Sequence, residues 1–165
     1  MSDAAAALAE NPNFSMLTRE QAARLIERAN HRSFTAGSLL MKEGRDGTSM
    51  IVLAEGTVDV QRGDKTIATL SPGHTLGEMA LLDPAPRSAS ALAKTDGSFY
   101  ELDRAALWGM LAEGDEAAIH VLQGITSTVC SRLGQVNGLV QQEVLAPKGN
   151  VFSRLWSKVG KLGRK

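Results

Sequence analysis

The chain has 165 residues, of which 43% are apolar, so it is long enough and apolar enough for one globular domain with a packed core. Its 18 basic and 18 acidic residues cancel, and a chain without net charge is not favoured to bind nucleic acid or a highly charged substrate. Six of the basic residues follow Leu145, where there are no acids, so the preceding part has 12 basic and 18 acidic residues, 12 − 18 = −6. An acidic body with a basic tail is the result.

The small number of cysteine and histidine residues argues against disulfides and metal sites. A single cysteine, Cys130, cannot close an intrachain disulfide, which favours a reducing cytoplasm, and on a helix face we expect it to be a small buried hydrophobe. His31, His74 and His120 lie on different predicted elements without metal-ligand spacing, so we expect neither a metal site nor a cupin-like metal enzyme. The N-terminus has no basic n-region, and no apolar stretch reaches the roughly 18 residues that span a bilayer. We therefore predict a cytoplasmic protein.

The N-terminal region predicts an arm followed by a helix. Residues 1–13 are rich in alanine, lack a sustained apolar period and include Pro12, so we predict a mobile arm. Thr18 and Gln21 then form a capping-box pattern. After them, apolar residues recur at helical spacing and predict an amphipathic helix of about three turns: Ala22, Leu25, Ile26 and Ala29.

From Phe34 onward the pattern changes to short strands. Eight of the 16 glycines fall within residues 37–97, and between them lie the branched apolar runs SLLM, SMIVLA, TVDVQ, KTIATL, SASAL and SFYEL. Gly63-Asp64 suits a two-residue hairpin turn, and Ser71-Pro72-Gly73 suits a further turn. Many short antiparallel strands of this kind predict a small barrel or jelly roll.

Two helices are predicted after the strands. Asp103 can cap a short helix and Asp115 a longer one, in which apolar residues recur every three or four positions: Ile119, Leu122, Ile125, Val129, Leu133, Val136 and Val140. The fold class is therefore α+β, a β jelly-roll barrel flanked by an N-terminal helix and a long C-terminal helix. We place the domain at residues 14–145 and a basic amphipathic tail at 146–165.

One segment, from Gly77 to Ala91, interrupts the strands and has the properties of an anion site. It opens with glycine, offers one helical turn whose backbone N–H groups are unpaired, and brings Arg87 to the start of the next strand. Arg87 can present a planar fork of donors to the same anion, with Ser88 adding a hydroxyl. Glu78 would repel an anion, so its presence indicates a ligand that also carries a hydroxyl donor. A phosphate next to a sugar hydroxyl implies a nucleotide.

The same segment closely resembles the phosphate-binding cassette of cyclic-nucleotide-binding domains, as in catabolite activator proteins, protein kinase A regulatory subunits and cyclic-nucleotide-gated channels. Upstream, KEGRDGTSMIVLAEGTVDV is similar to the paired strands of that family, and the resemblance runs from about Leu17 to about Val136. It implies that Glu78 holds the ribose 2′-OH and that Arg87 and Ser88 bind the cyclic phosphate. The backbone of four residues completes the implied ligand shell: Gly77, Met79, Ala80 and Ala89. His74 and Leu76 depart from the family pattern at positions that do not normally touch ligand.

The resemblance extends to the base and to the choice of nucleotide. Family spacing places Thr128 and Arg132 over the base, although these residues can equally face solvent. A serine after the cassette arginine occurs in cAMP-binding relatives, and a hydroxyl there also helps guanine recognition, so the expected ligand is cAMP or cGMP, with cAMP favoured. No Ser-His-Asp or Cys-His arrangement is present, and we expect a sensor rather than an enzyme.

The tail offers a route for output. Its apolar and basic residues separate on a helical wheel, so it can lie on an anionic membrane, dock on a partner protein or cover the ligand. We expect a cyclic-nucleotide-binding module that signals to a partner protein through the C-terminal helix or the tail. Direct DNA binding is not expected, because no recognition-helix pair is available. The alternative is an interaction or membrane-targeting module of the same fold that has lost the nucleotide or binds a cyclic dinucleotide.

Overall fold

The computed structural model describes residues 3–83 and 85–145, and the side chains of 4–83 and 85–131. The chain divides into two compact units, Met1–Ser127 and Thr128–Lys165. All of the strands and the cassette belong to the first unit. The predicted tail, 146–165, lies outside the described residues.

Fourteen elements make up the described part of the chain, including two short 3₁₀ helices, Pro12–Phe14 and Glu78–Leu81. The four α-helices are α1 (Asp3–Ala9), α2 (Arg19–Glu27), α3 (Arg104–Ala112) and α4 (Glu116–Leu145). The eight strands are β1 (Asn30–Phe34), β2 (Leu39–Met41), β3 (Ser49–Glu55), β4 (Val58–Arg62), β5 (Lys65–Leu70), β6 (Thr75–Leu76), β7 (Ser90–Ala93) and β8 (Gly97–Asp103).

The strands form two four-stranded antiparallel sheets, ordered β1-β8-β3-β6 and β2-β7-β4-β5. Their inner faces enclose one apolar cluster, which packs at the centre of the domain: Phe34, Ile51, Leu53, Val58, Ala91, Ala93 and Phe99. The predicted α+β fold with a jelly roll is therefore confirmed, although the two sheets do not close into a continuous barrel.

Local signals in the sequence set the helix starts and the tight turn. The capping box of α2 is formed, with the Thr18 hydroxyl accepting from the N–H of Gln21 and the Gln21 side chain accepting from the N–H of Thr18. Gly63 has φ of +54°, and β4 turns into β5 with Arg62 paired to Lys65, as the two-residue hairpin requires. Asp115 caps α4 by accepting from the N–H of Ala117. Asp103 precedes α3 but makes no side-chain cap bond.

Residue 3 onward of the arm predicted at residues 1–13 forms two helices, α1 and Pro12–Phe14, with side chains buried against the domain. Residues 3–9 form α1, and Ala4, Ala5 and Leu8 on it are buried. Asn11 is also buried and donates from Nδ2 to the carbonyl oxygen of Gly73 at 2.9 Å. The buried face of α1 consists mostly of alanines and not of large apolar side chains. The apolar periodicity of the sequence therefore did not indicate a helix here.

The buried face of α4 also differs from the prediction. Ile125 is buried as expected, but Ile119 is 43% exposed, and among residues 116–131 of the helix the other buried residues are Ala117, Ala118, Val121 and Gly124. A Cβ at Gly124 would overlap the carbonyl oxygen of Asn13, so the small residues let this turn of the helix approach the N-terminal segment closely. Cys130, predicted to be buried, is exposed.

Two strands were missed in the sequence. The β1 segment NHRSF is polar, and of its residues only Phe34 is buried, so it lacks the apolar alternation of a strand. It is a strand because its backbone pairs with β8, from Asn30 opposite Glu101 to Phe34 opposite Gly97. The two-residue β6 is too short for any periodicity and pairs with β3.

Candidate functional site

The cassette begins at a left-handed glycine. Gly77 has φ of +74° and starts the 3₁₀ helix Glu78–Leu81, in which Ala80 and Leu81 are buried and Met79 is 40% exposed. The N–H of Ala80 donates to the carbonyl oxygen of Gly77 at 3.1 Å, which closes the single turn. The predicted turn therefore exists, with the half-buried Glu78 as its first residue.

The guanidinium of Arg87 turns back toward this glycine. Its Nη1 donates to the carbonyl oxygen of Gly77 at 3.1 Å, and its Nη2 donates to the carbonyl oxygen of Ser49 at 2.8 Å and to the Ser49 hydroxyl at 3.3 Å. The fork thus joins the first residue of the cassette to the start of β3. Arg87 and Gly77 are ten residues apart in the chain, and these bonds bring together the two ends of the cassette.

Two glycines make room for the guanidinium. An ideal Cβ at Gly47 would overlap Nε, Cζ and Nη2 of Arg87, and one at Gly77 would overlap Nη1. The guanidinium therefore occupies the space that a Cβ would fill at both positions. A side chain at either position would displace the arginine.

The charge of Arg87 is partly desolvated. Burial lowers the pKa of the Arg87 guanidinium below its usual value, while the carboxylates of Glu101 and then Glu78 act in the opposite direction. An arginine remains protonated at neutral pH even so. Such a cation, half removed from water and held on backbone carbonyls, binds an anion more strongly than an exposed one does.

A network of polar side chains continues from Arg87 into the sheet. The buried Ser49 donates its hydroxyl hydrogen to Oε1 of Glu101 at 2.8 Å, and Nε of Arg32 pairs with Oε2 of the same carboxylate at 2.8 Å. Four residues on three strands and the cassette are linked in this way: Arg32, Glu101, Ser49 and Arg87.

Backbone contacts fix the end of the cassette to the β2–β3 loop. The N–H of Arg87 donates to the carbonyl oxygen of Arg45 at 2.8 Å, and the N–H of Gly44 donates to the carbonyl oxygen of Arg87 at 2.9 Å. The next residue, Ser88, is exposed, and its carbonyl oxygen accepts from Nε of Arg62 on β4 at 3.2 Å. Ala89 follows as a half-buried residue before β7.

The predicted site residues fall into two groups. Seven of them lie on the cassette of the first unit: Gly77, Glu78, Met79, Ala80, Arg87, Ser88 and Ala89. The two possible base-capping residues belong to the second unit, where Thr128 is half-buried and the side chain of Arg132 lies outside the described residues. The base cap therefore stays a prediction.

Sequence reasoning missed Ser49, Glu101 and Arg32. A signal for Glu101 was present, because in SFYEL it stands two residues after Phe99 and so shares its face of the strand. No local pattern could assign a partner to it, since Ser49 lies 52 residues away.

The fold and the cassette define a class of ligand-binding module. The model of the cyclic nucleotide-binding domain family matches residues 31–114, about half of the chain, and the chain belongs to this family. Domains of this class are regulatory rather than catalytic.

The curated relatives are longer proteins that match this chain over one segment. The chain is 31% identical over 107 residues to a cAMP-dependent protein kinase regulatory subunit of Candida albicans, an alignment that covers 65% of this chain and 23% of the subunit. It is 34% identical over 98 residues to human cGMP-dependent protein kinase 2, covering 59% of this chain and 13% of the kinase. It thus spans less than a quarter of these relatives.

A solved structure covers more of the chain. The N-terminal domain of a transcriptional regulator from Streptomyces coelicolor is 30% identical, with a TM-score of 0.68, and the match covers 81% of this chain and 93% of that domain.

Within the described part of the chain, no three His, Cys, Asp or Glu residues are arranged to hold a metal ion. Among those residues, no helix has both the length and the apolar character needed to cross a membrane.

Proposed function

We propose that this chain binds a cyclic mononucleotide at its cassette, with cAMP favoured over cGMP, and passes the binding event to a partner protein. The observation that carries the proposal is the half-buried guanidinium of Arg87, which lies against Gly77 one residue before Glu78. A cation and a carboxylate at the two ends of one short cassette match a ligand with an anionic phosphate and a neighbouring hydroxyl.

In this proposal each cassette residue has a role. Arg87 pairs with the cyclic phosphate, and the Ser88 hydroxyl and the N–H of Ala89 donate to it. Glu78 accepts the hydrogen of the ribose 2′-OH. The backbone of Gly77, Met79 and Ala80 completes the shell, and Thr128 or Arg132 covers the base.

Ligand binding requires Arg87 to exchange at least part of its present bonds. The two carbonyl oxygens that it contacts are neutral acceptors, and a phosphate is a charged one that forms stronger bidentate bonds with a guanidinium. The arginine is therefore held by contacts that an incoming anion can replace without leaving a charge unpaired.

The proposed output is a shift of the C-terminal helix or the tail that a partner protein recognises. A second proposed role of the tail is peripheral contact with an anionic membrane. A ligand can shift such an equilibrium only through its different affinities for the two arrangements, typically by about 1–3 kcal/mol. We place this function in the cytoplasm, which the single free cysteine favours. No catalytic step is proposed.

Isothermal titration of the whole chain with cAMP, cGMP and cyclic di-GMP tests the proposal. We expect saturable 1:1 binding of cAMP, weaker binding of cGMP, and a loss of about a hundredfold or more in Arg87→Ala, because breaking a desolvated charge pair costs roughly 2–5 kcal/mol. Binding of the dinucleotide alone would support the alternative ligand. No heat with any of the three would point to a ligand-free interaction module.

A further inference from the structure

An acidic residue lies on the core side of the β1-β8-β3-β6 sheet. Glu101 on β8 is opposite Ile51 on β3, and Phe99 on the same strand is opposite Leu53. Directly opposed and alternate residues share one face, so Glu101 faces the same way as the buried Ile51, Leu53 and Phe99. Its side chain is only 23% exposed. A carboxylate in such a place must be paired to offset its desolvation.

One of the two partners of Glu101, Ser49, connects it to the cassette. One oxygen accepts from the Ser49 hydroxyl, whose own oxygen and carbonyl both accept from Nη2 of Arg87. The other oxygen pairs with Arg32 at the rim of the sheet, which is 61% exposed and opposite Phe99. A negative charge is thus held one hydroxyl group away from the cation of the cassette.

We propose that Glu101, acting through Ser49, is a positioning residue for Arg87. This proposal rests on the proposed function, since it names the residue that keeps Arg87 in position to bind the phosphate. The Ser49 hydroxyl fixes the plane of the guanidinium, and the Glu101 carboxylate orients that hydroxyl by accepting its hydrogen, which leaves the Ser49 oxygen to face Arg87. Arg32 forms an ion pair with the Glu101 carboxylate. Glu101 therefore stabilises Arg87 while the phosphate remains the ion partner of Arg87.

The first arm of the test measures nucleotide affinity. Ser49→Ala and Glu101→Gln should each weaken cAMP binding by about three- to tenfold, the range of coupling expected for side chains in one hydrogen-bond network. In an Arg87→Ala background the same substitutions should change the affinity by less than about twofold, because they act only through that arginine. Equal losses in both backgrounds, or tighter binding by Glu101→Gln, would overturn the proposal.

The chain supplies a matched control. Glu55 on β3 accepts from the hydroxyl of Ser98 on β8 at 3.3 Å, a glutamate–serine bond between the same two strands that does not involve Arg87. Glu55→Gln should leave the cAMP affinity unchanged. If it weakens binding as much as Glu101→Gln does, the effect is a general loss of sheet stability and the positioning role is rejected.

The second arm needs no ligand. In nitrogen-15 NMR spectra of the free protein, the Nη–H groups of Arg87 should exchange slowly with water, assigned by their loss in Arg87→Lys. Ser49→Ala and Glu101→Gln should speed the exchange, and Glu55→Gln should not. Unchanged exchange in both variants would refute the positioning role even if cAMP binds. An absence of cAMP binding by the wild-type chain would refute only the proposed function.

Discussion

The indole of Trp108 donates from Nε1 to the carbonyl oxygen of Leu81 at 3.1 Å, which joins α3 to the last residue of the cassette helix. The guanidinium of Arg104 lies 5.7 Å from the centre of the same ring. Trp108 is 47% exposed and also lines an open groove of about 480 Å³ with Thr48, Asp103 and Ala105. We therefore expect any movement of the cassette on ligand binding to change the surroundings of this tryptophan.

The first prediction uses that contact as a reporter. In a Trp156→Phe variant, which leaves Trp108 as the only tryptophan, saturating cAMP should change the emission maximum or intensity. The change should follow the binding curve from calorimetry, because it reports the Trp108–Leu81 bond. Constant emission during a calorimetrically proven titration would show that the cassette helix does not move against α3.

The second prediction concerns the ribose. Glu78→Ala should weaken cAMP binding, because the carboxylate that accepts from the 2′-OH is lost, and a hydrogen bond to a charged group contributes about 1.5–3 kcal/mol. It should leave the affinity for 2′-deoxy-cAMP nearly unchanged. Titration of both ligands into both proteins measures this difference. Equal losses for the two ligands would contradict the ribose assignment of Glu78.

The third prediction concerns the space beside the arginine. Gly47→Ala adds a Cβ that overlaps the Arg87 guanidinium, so the arginine must move, and we expect cAMP affinity to fall by at least about tenfold, a loss of roughly 1.4 kcal/mol. The fold should remain, because the overlapped atoms are the end of a flexible side chain. Circular dichroism and calorimetry separate the two effects.

A second glycine provides the control for this variant. Gly109 lies in α3 with open space around its Cβ position, so Gly109→Ala should raise the free energy of unfolding by about 0.5–1 kcal/mol and leave the affinity unchanged. Retained affinity in Gly47→Ala would mean that Arg87 binds the ligand from another position.

The fourth prediction tests the folded N-terminal segment. Asn11→Ala removes the bond to the Gly73 carbonyl and leaves a buried acceptor, so the free energy of unfolding should fall by about 1–3 kcal/mol. Asn13→Ala is the control, since Asn13 is exposed, and it should change stability by less than about 0.5 kcal/mol. Urea denaturation measures both. Equal stability of the two variants would favour the mobile arm after all.

The fifth prediction concerns the tail, which the structure does not describe. Deletion after Pro147 should leave cAMP affinity and the melting temperature unchanged, but should abolish binding to anionic vesicles or to the partner protein. In a Trp108→Phe variant, the emission of Trp156 should shift to the blue with anionic vesicles at low salt, and added salt should weaken the shift. A shift caused by cAMP alone, with lower affinity after truncation, would make the tail a lid over the ligand instead.

The sequence by itself determined the features that depend on neighbouring residues. The capping box of Thr18 and Gln21 and the Gly63-Asp64 turn need partners only two to four positions away, so their patterns can be recognised without the fold. The cassette is likewise continuous in the chain. Its resemblance to the family implied that Glu78 holds the ribose 2′-OH and that Arg87 binds the cyclic phosphate.

Only the tertiary structure decided what depends on distant partners. The polar β1 is a strand because β8 pairs with it, and α1 is ordered because its alanines are buried by the domain. Glu101 joins the site only because β8 lies beside β3 and brings Ser49 within hydrogen-bond distance across 52 residues of chain. Periodicity shows which residues share a face, but burial and pairing depend on what packs against that face, and this is set by the register of strands far apart in the sequence.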